Sequence, residues 1–214
     1  MKIKWYGHSC FMLTSDSGVR ILTDPCDPST GYDISGVEAD AVTVSHDHHD
    51  HNYLDAVKGY PMVIRDEKPT EVCDIKVQGV CTYHDDCGGK KRGKNIVFIF
   101  EIDGLRIIHA GDLGDISDPD LAKRIGKCDV LLVPIGGVYT IDAPQARAFA
   151  NMLHAKVVIP MHYKTDALTF ELGDVDTFVD HAVDCSIHRL KKSEAVLDKS
   201  CLGSDRILLL SYKD

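Results

Sequence analysis

The chain has 214 residues, 44% of them hydrophobic and 27% charged, with 24 basic against 33 acidic side chains and a formal net charge of −9. That length suits one domain over residues 1–214, able to bury about 70% of the surface its unfolded chain exposes. Acidic residues spread along the whole chain argue against a nucleic-acid partner, and no stretch approaches the roughly 18 apolar residues of a membrane span.

The N-terminus, Met1-Lys2-Ile3-Lys4-Trp5-Tyr6, enters a strand pattern with no apolar signal region, so a cytoplasmic protein is expected. Short strands are predicted over residues 2–5, 10–14 and 20–23, with turns at Gly7 and Asp16-Ser17-Gly18. Asp24-Pro25-Cys26-Asp27-Pro28 then opens a polar loop that runs to residue 40. The apolar run Ala41-Val42-Thr43-Val44 reads as a buried strand, and Asn52-Tyr53-Leu54-Asp55-Ala56-Val57 as a short helix. Further strands are predicted over 61–64, 75–77, 80–84, 96–102 and 105–110, with Gly104 marking a hairpin. From residue 115 the rhythm becomes alternating helix and strand. A helix to about 125 has Pro119 near its first turn, and Asp142-Ala143-Pro144-Gln145 opens another to about 153. Strands follow over 129–134, 156–160 and 206–212, with a helix over 173–181. Hairpins first, then alternation, imply sheets packed together with helices outside. Eight cysteines without a C-x-x-C pair are expected to be buried free thiols.

The chemistry concentrates in Ser45-His46-Asp47-His48-His49-Asp50-His51, directly after the buried strand. In an extended tail His46 and His48 share a face and can grip one ion. Asp50 and His51 diverge unless the chain turns there, in which case both aim at a second ion. Mixed imidazole and carboxylate ligands suit zinc, manganese or iron. Further ligands are expected at strand ends, in Tyr83-His84-Asp85-Asp86, in His109-Ala110-Gly111-Asp112 and in Pro160-Met161-His162-Tyr163.

In that order, these elements resemble the metallo-β-lactamase fold superfamily of metal-dependent hydrolases. Gly7-His8-Ser9-Cys10-Phe11, Thr23-Asp24-Pro25, His84-Asp85-Asp86 with Gly89 and Arg92-Gly93, and Pro160-Met161-His162-Tyr163 are similar to one branch of it. That branch is the small Zn-dependent hydrolases similar to the ascorbate-phosphate lactonase. The resemblance implies an α/β fold, the αβ/βα sandwich of two mixed sheets with helices outside. It implies one ion on His46, His48 and His84, a second on Asp50, His51 and His162, and Asp112 bridging them. Two divalent ions, zinc first with manganese or iron as alternatives, would lower the pKa of a bound water to about 7 and clamp the developing oxyanion. Asp50 is then the catalytic carboxylate that orients the water.

His8, Asp24 and His109 are expected to hydrogen-bond behind these ligands. His109 rivals His84 for the third-histidine position, but His84 ends its strand beside a Gly-rich turn. His49 should point away from the metals, and His154, His181 and His188 have no expected catalytic role. Gly88-Gly89-Lys90-Lys91-Arg92-Gly93-Lys94-Asn95 is expected to read an anionic group of the substrate, through Arg92, Asn95 and glycine N–H groups. Its plain alternative is a hairpin tip kept polar for solubility. Asp166-Ala167-Leu168-Thr169-Phe170, after His162, is a candidate pocket wall.

The function expected is hydrolysis of an ester, lactone, amide or phosphodiester bond in a small molecule. Iron-dependent redox chemistry on oxygen, nitric oxide or persulfide is the alternative, since the ligand set tolerates iron. A homo-oligomer is left open.

Overall fold

The computed structural model describes all residues except Tyr60, Cys201, Ser204 and Asp214. The first strands are β1 (Lys2–Gly7), β2 (Cys10–Thr14), β3 (Arg20–Thr23), β4 (Val37–Glu38), β5 (Ala41–Thr43), β6 (Val57–Lys58) and β7 (Met62–Ile64). β8 (Thr70–Val72), β9 (Ile75–Tyr83), β10 (Lys94–Ile102) and β11 (Leu105–His109) form a meander. Then α1 (Leu121–Ile125), β12 (Val130–Pro134), α2 (Ala143–Met152), β13 (Val157–Met161) and α3 (Val175–Asp180) alternate. β14 (Ser186–Arg189), β15 (Glu194–Val196) and β16 (Arg206–Leu209) follow.

These strands make a six-stranded sheet, β15-β1-β2-β3-β5-β7, and an eight-stranded sheet, β14-β16-β13-β12-β11-β10-β9-β8. Side-chain alternation decides what each face meets. Along β2, Phe11 and Leu13 turn to the core shared with the other sheet, while Cys10 and Met12 turn to the opposite face. That opposite face is covered by Tyr32, Ile34, Leu168 and Leu172 from loops. In β12 and β13 every residue is buried, the continuous apolar pattern of parallel strands covered on both faces. α2 packs over β12, and its N-terminus is fixed by a reciprocal capping box between Asp142 and Gln145.

The α/β sandwich agrees with the sequence reading, with local differences. The helix expected over residues 52–57 is only a 3-10 turn, Leu54–Ala56, which has no side-chain cap and runs into β6. Helices cover the eight-stranded sheet, whereas loops cover the outside of the six-stranded one. The strands expected at 75–77 and 80–84 are one strand, β9. Gly79 does not break it. A Cβ there would lie 2.5 Å from the Asp66 carbonyl oxygen, so the glycine serves a close backbone approach. Pro119 lies before α1 rather than in its first turn, where Asp118 accepts the amide of Asp120. The final strand stops at Leu209. β14 is exposed throughout and sits at a sheet edge, so it carries no apolar alternation to betray it. Seven described cysteines are free, but only Cys10, Cys26 and Cys128 are buried. Cys73 is exposed, Cys81, Cys87 and Cys185 are half-buried, and Cys201 lies outside the described residues. No helix among the described residues is long and apolar enough to cross a membrane.

The ends of β9 and β11 are held together by Gly114, whose amide donates to the Tyr83 carbonyl. A Cβ at Gly114 would lie 2.3 Å from the Asp85 amide nitrogen and 2.4 Å from the His84 carbonyl carbon. Gly114→Ala is therefore expected to cost about 1–3 kcal/mol and to lower the melting temperature by roughly 2–4 °C per kcal/mol. Unchanged thermal unfolding would show that this contact yields freely.

Candidate metal centre

The site is assembled from strand ends on one rim. β5 ends at Thr43, and the chain then turns, with the His51 and Asn52 amides both donating to the His48 carbonyl. This is the turn that brings Asp50 and His51 inward. His84 follows β9 directly, Asp112 lies just beyond β11, and His162 follows β13. Three polar residues of the site that follow strands adopt left-handed backbone conformations, His8 at φ 50°, Asp24 at φ 38° and His162 at φ 51°. Such residues carry strain of about 1–3 kcal/mol each and persist where the surroundings over-determine them.

Asp112 is buried at the centre. Its Oδ2 lies 3.2 Å from His84 Nε2, 3.2 Å from His162 Nε2 and 3.8 Å from His46 Nε2, while Oδ1 lies 3.2 Å from His51 Nε2. Burial pushes this carboxyl up, but His162 and His51 outweigh it and hold the group well below the usual carboxylate range. His51 is the mirror case. Burial pulls it down, while Asp112 and Asp50 raise it well above the ordinary imidazole value. Burial carries His46 down to about 3, so it stands neutral with a free lone pair.

The donor atoms fall into two main sets in which all members lie within 4.8 Å of one another. One is His46, His48 and His84; the other is His8, Asp50, His51 and His162. His46 Nε2, His51 Nε2 and Asp112 Oδ1 are buried without a hydrogen-bond partner. Each such orphan costs about 1–3 kcal/mol if left unsatisfied. His46 Nδ1 is meanwhile engaged 2.9 Å from Ser45 Oγ, and His51 Nδ1 2.8 Å from Asp24 Oδ2. Histidines tied at Nδ1 and orphaned at Nε2 beside a carboxylate are what a divalent ion between them requires.

The supporting residues are ordered behind this rim. Asp24 accepts from the Ser45 amide, the Ser45 hydroxyl and His51. Burial pushes Asp24 up, but His109 and His51 more than compensate. His8 Nε2 stands 3.1 Å from Asp50 Oδ2, and its ring centroid is 4.2 Å from that of His162. His8 thus reaches the second donor set itself, closer to the centre than the sequence implies. His109 donates through Nε2 to the Ser9 carbonyl and accepts the Gly111 amide at Nδ1, so neither ring nitrogen is free for a metal. Most of the His49 side chain is in solvent, 69% exposed.

Two expectations for the 88–95 turn are corrected. Asn95 is fully buried; its Nδ2 donates to Thr82 Oγ1 and the Ala110 carbonyl, and its Oδ1 accepts the Asp112 amide. It therefore positions Asp112 and is not exposed to substrate. The turn's amides do converge on an anion, but that anion is Asp85, which accepts from Cys87, Gly89, Lys91 and Arg92. Those donors hold the Asp85 carboxyl below the usual range despite its burial. The Arg92 side chain remains outward, its guanidinium 5.4 Å from the Tyr139 ring centroid.

A cavity of about 380 Å³ opens above the rim, lined by Asp50, His84, Asp112 and His162, by His48 and the outer His49, and by Arg92, Tyr139 and Phe170. The Tyr139 and Phe170 rings meet edge-on with their centroids 6.3 Å apart, and Phe170 also meets His8 edge-on. Phe170 thus makes the 166–170 segment a pocket wall. Tyr139 escaped the sequence reading because it belongs to no periodic or ligand-spaced pattern, and Asp85, although part of His84-Asp85-Asp86, gave no local sign that it would gather the amides of the following turn.

Because His51 depends on Asp24 for its orientation, Asp24→Ala is expected to weaken metal affinity by about 10–100-fold while leaving the fold intact. Chelator competition on the purified variant checks this, and unchanged affinity would show that Asp24 is only structural.

Residues 2–162 match the beta-lactamase superfamily domain. A UPF0173 metal-dependent hydrolase from Methanoregula boonei is 31% identical over 221 aligned residues, covering 92% of this chain and 97% of that protein. A crystal structure from Thermotoga maritima, assigned to the Zn-dependent hydrolases of the metallo-β-lactamase superfamily, is 41% identical with a TM-score of 0.81, covering 98% of both chains. A structure from Parabacteroides distasonis, assigned as a metal-dependent hydrolase, is 25% identical with a TM-score of 0.63, covering 85% of this chain and 88% of its own. The chain belongs to the metallo-β-lactamase superfamily, among its metal-dependent hydrolases.

Proposed function

We propose that this protein is a dinuclear hydrolase that cleaves an ester, lactone, amide or phosphodiester bond in a small molecule. The observation that carries the reading is one buried carboxylate, Asp112, set within 4 Å of imidazole nitrogens from both donor sets. His46, His48 and His84 would hold one ion, Asp50, His51 and His162 the other, and Asp112 both. Zinc suits this mixture of imidazole and carboxylate best, with manganese or iron able to replace it. When bound, the ions supply Lewis acidity and make water acidic enough to attack at neutral pH.

The chain's own residues do the rest. Asp50 is ionised, because His51 and His8 outweigh the effect of its burial. It orients the attacking water by accepting its hydrogen bond, and His8 fixes the Asp50 carboxylate for that task. Tyr139 and Phe170 wall the cavity and exclude bulk water from the reacting bond. Arg92, held against Tyr139, contacts the substrate. His8 fits this scheme as a positioning residue acting through Asp50.

Metal analysis is expected to find two divalent ions per chain after reconstitution with zinc. Less than one equivalent with zinc, manganese and iron in turn would overturn the reading. Asp112→Ala is expected to lose metal and to lower hydrolysis of an ester, lactone and phosphodiester panel by orders of magnitude. His49→Ala is expected to match the parent on both measures, and equal damage from the two substitutions would refute the ligand assignment.

A further inference from the structure

The cavity above the histidine rim joins two unlike surfaces. Its floor is polar, with Asp112 between His84 and His162, whereas Tyr139 and Phe170 present a wall of two rings. Large apolar side chains of this chain are mostly buried, yet Val138 and Tyr139, neighbours in one loop, are 50% and 41% exposed. Phe170 is half-buried against the Tyr139 ring.

That exposure is built into the fold. The Gly173 amide donates to the Gly136 carbonyl at 2.8 Å, which joins the loop carrying Tyr139 to the loop carrying Phe170. A Cβ at Gly136 would lie 2.4 Å from the His162 carbonyl oxygen, so the first loop is seated directly on a rim residue. The second loop is clamped by Lys164. Its Nζ donates to the Leu168 and Phe170 carbonyls at 3.0 and 2.9 Å and pairs with the Glu171 carboxylate at 3.0 Å. The Thr169 hydroxyl adds a bond of 2.7 Å to the Ser29 carbonyl. Both rings are therefore anchored relative to the imidazoles of the floor.

We infer that this wall binds a flat aromatic group of the substrate, whose cleaved bond then lies over the histidine rim. The substrate class is a small molecule with an aromatic ring close to its scissile bond. The wall favours a ring over an aliphatic group of equal size. Phe170 meets both Tyr139 and His8 edge-on, the arrangement aromatic rings prefer, and a third ring extends that cluster. The Arg92 guanidinium, 5.4 Å from the Tyr139 centroid, offers a second planar surface on which a ring can stack. An aliphatic group would gain burial alone. The cavity, about 380 Å³, has the size of a small-molecule site. This deepens the hydrolase reading and rests on it.

Zinc-loaded full-length protein is compared with the double variant Tyr139→Leu, Phe170→Leu, which keeps apolar volume but removes both rings. The substrates are two pairs matched in size: methyl phenylacetate against methyl cyclohexylacetate, and benzyl acetate against cyclohexylmethyl acetate. The parent is expected to favour the aromatic member of at least one pair in kcat/KM. In the double variant that preference is expected to fall about tenfold, the size of the ring contacts removed, with metal content and melting temperature unchanged. Tyr139→Phe, which keeps the ring, is expected to retain the preference. Should the double variant lose metal, Tyr139→Leu, at an exposed position, carries the same comparison. Equal rates within both pairs, or a preference that the leucine variants keep, overturns the inference. If no ester is hydrolysed, ester hydrolysis is what has failed, and the wall is then read by calorimetric titration with phenylacetone and cyclohexylacetone. Tighter binding of phenylacetone that the leucine variants lose supports the site. Equal binding of the two ketones, or a difference that the leucine variants keep, refutes it.

Discussion

Asp112 is the constraint around which the molecule is arranged. A carboxylate taken out of water costs several kcal/mol unless positive charge and hydrogen bonds surround it. Here four imidazole nitrogens come within 4 Å, and the Asn95 side chain fixes the backbone amide behind it. The histidines arrive from both sheets: His46 and His51 follow β5 of the six-stranded sheet, while His84 and His162 end strands of the eight-stranded one. Compensating this one charge therefore ties the two layers of the sandwich together at the rim.

The same economy explains the unusual backbone. His8, Asp24 and His162 pay strain in left-handed conformations because each must leave its strand and turn a side chain inward at once. The strain is offset locally. The His8 carbonyl accepts both the Trp5 indole N–H and the His162 amide, locking two of the three corners to each other. Asp24 is locked by Ser45 and His51. Rigid corners of this kind fix donor positions before any ligand arrives.

The wall of the cavity comes from different elements than the histidine rim. The rim residues His84, Asp112 and His162 follow buried strands, whereas Arg92, Tyr139 and Phe170 come from three loops with no part in the sheets. The Asp85 loop shows how such an element becomes rigid: an internal carboxylate replaces solvent for four amides of one turn, those of Cys87, Gly89, Lys91 and Arg92, and leaves the Arg92 side chain outward. One scaffold can thus keep its ligand rim while the loops change the molecule it accepts.

The sequence by itself determined the strands, the alternation of the second half and the ligand candidates. Apolar runs ending in His46, His84 and His162 signal buried strands whose ends must converge, and the H-x-H-x-D-H spacing restricts which side chains share a face. Other features were decided only in three dimensions. Asn95 belongs to a polar turn by its neighbours, yet strand pairing with β9 buries it and turns it toward Asp112. Gly79 and Gly114 look like interruptions, yet tertiary approach of Asp66 and of the His84–Asp85 backbone requires them. β14 and the short 3-10 turn after His51 carry no periodicity that differs from a loop. The division follows from range: local spacing records which side chains a strand end can present, but burial, orphaned donors and shared cavities arise between segments as far apart as residues 8 and 162, and no local pattern encodes them.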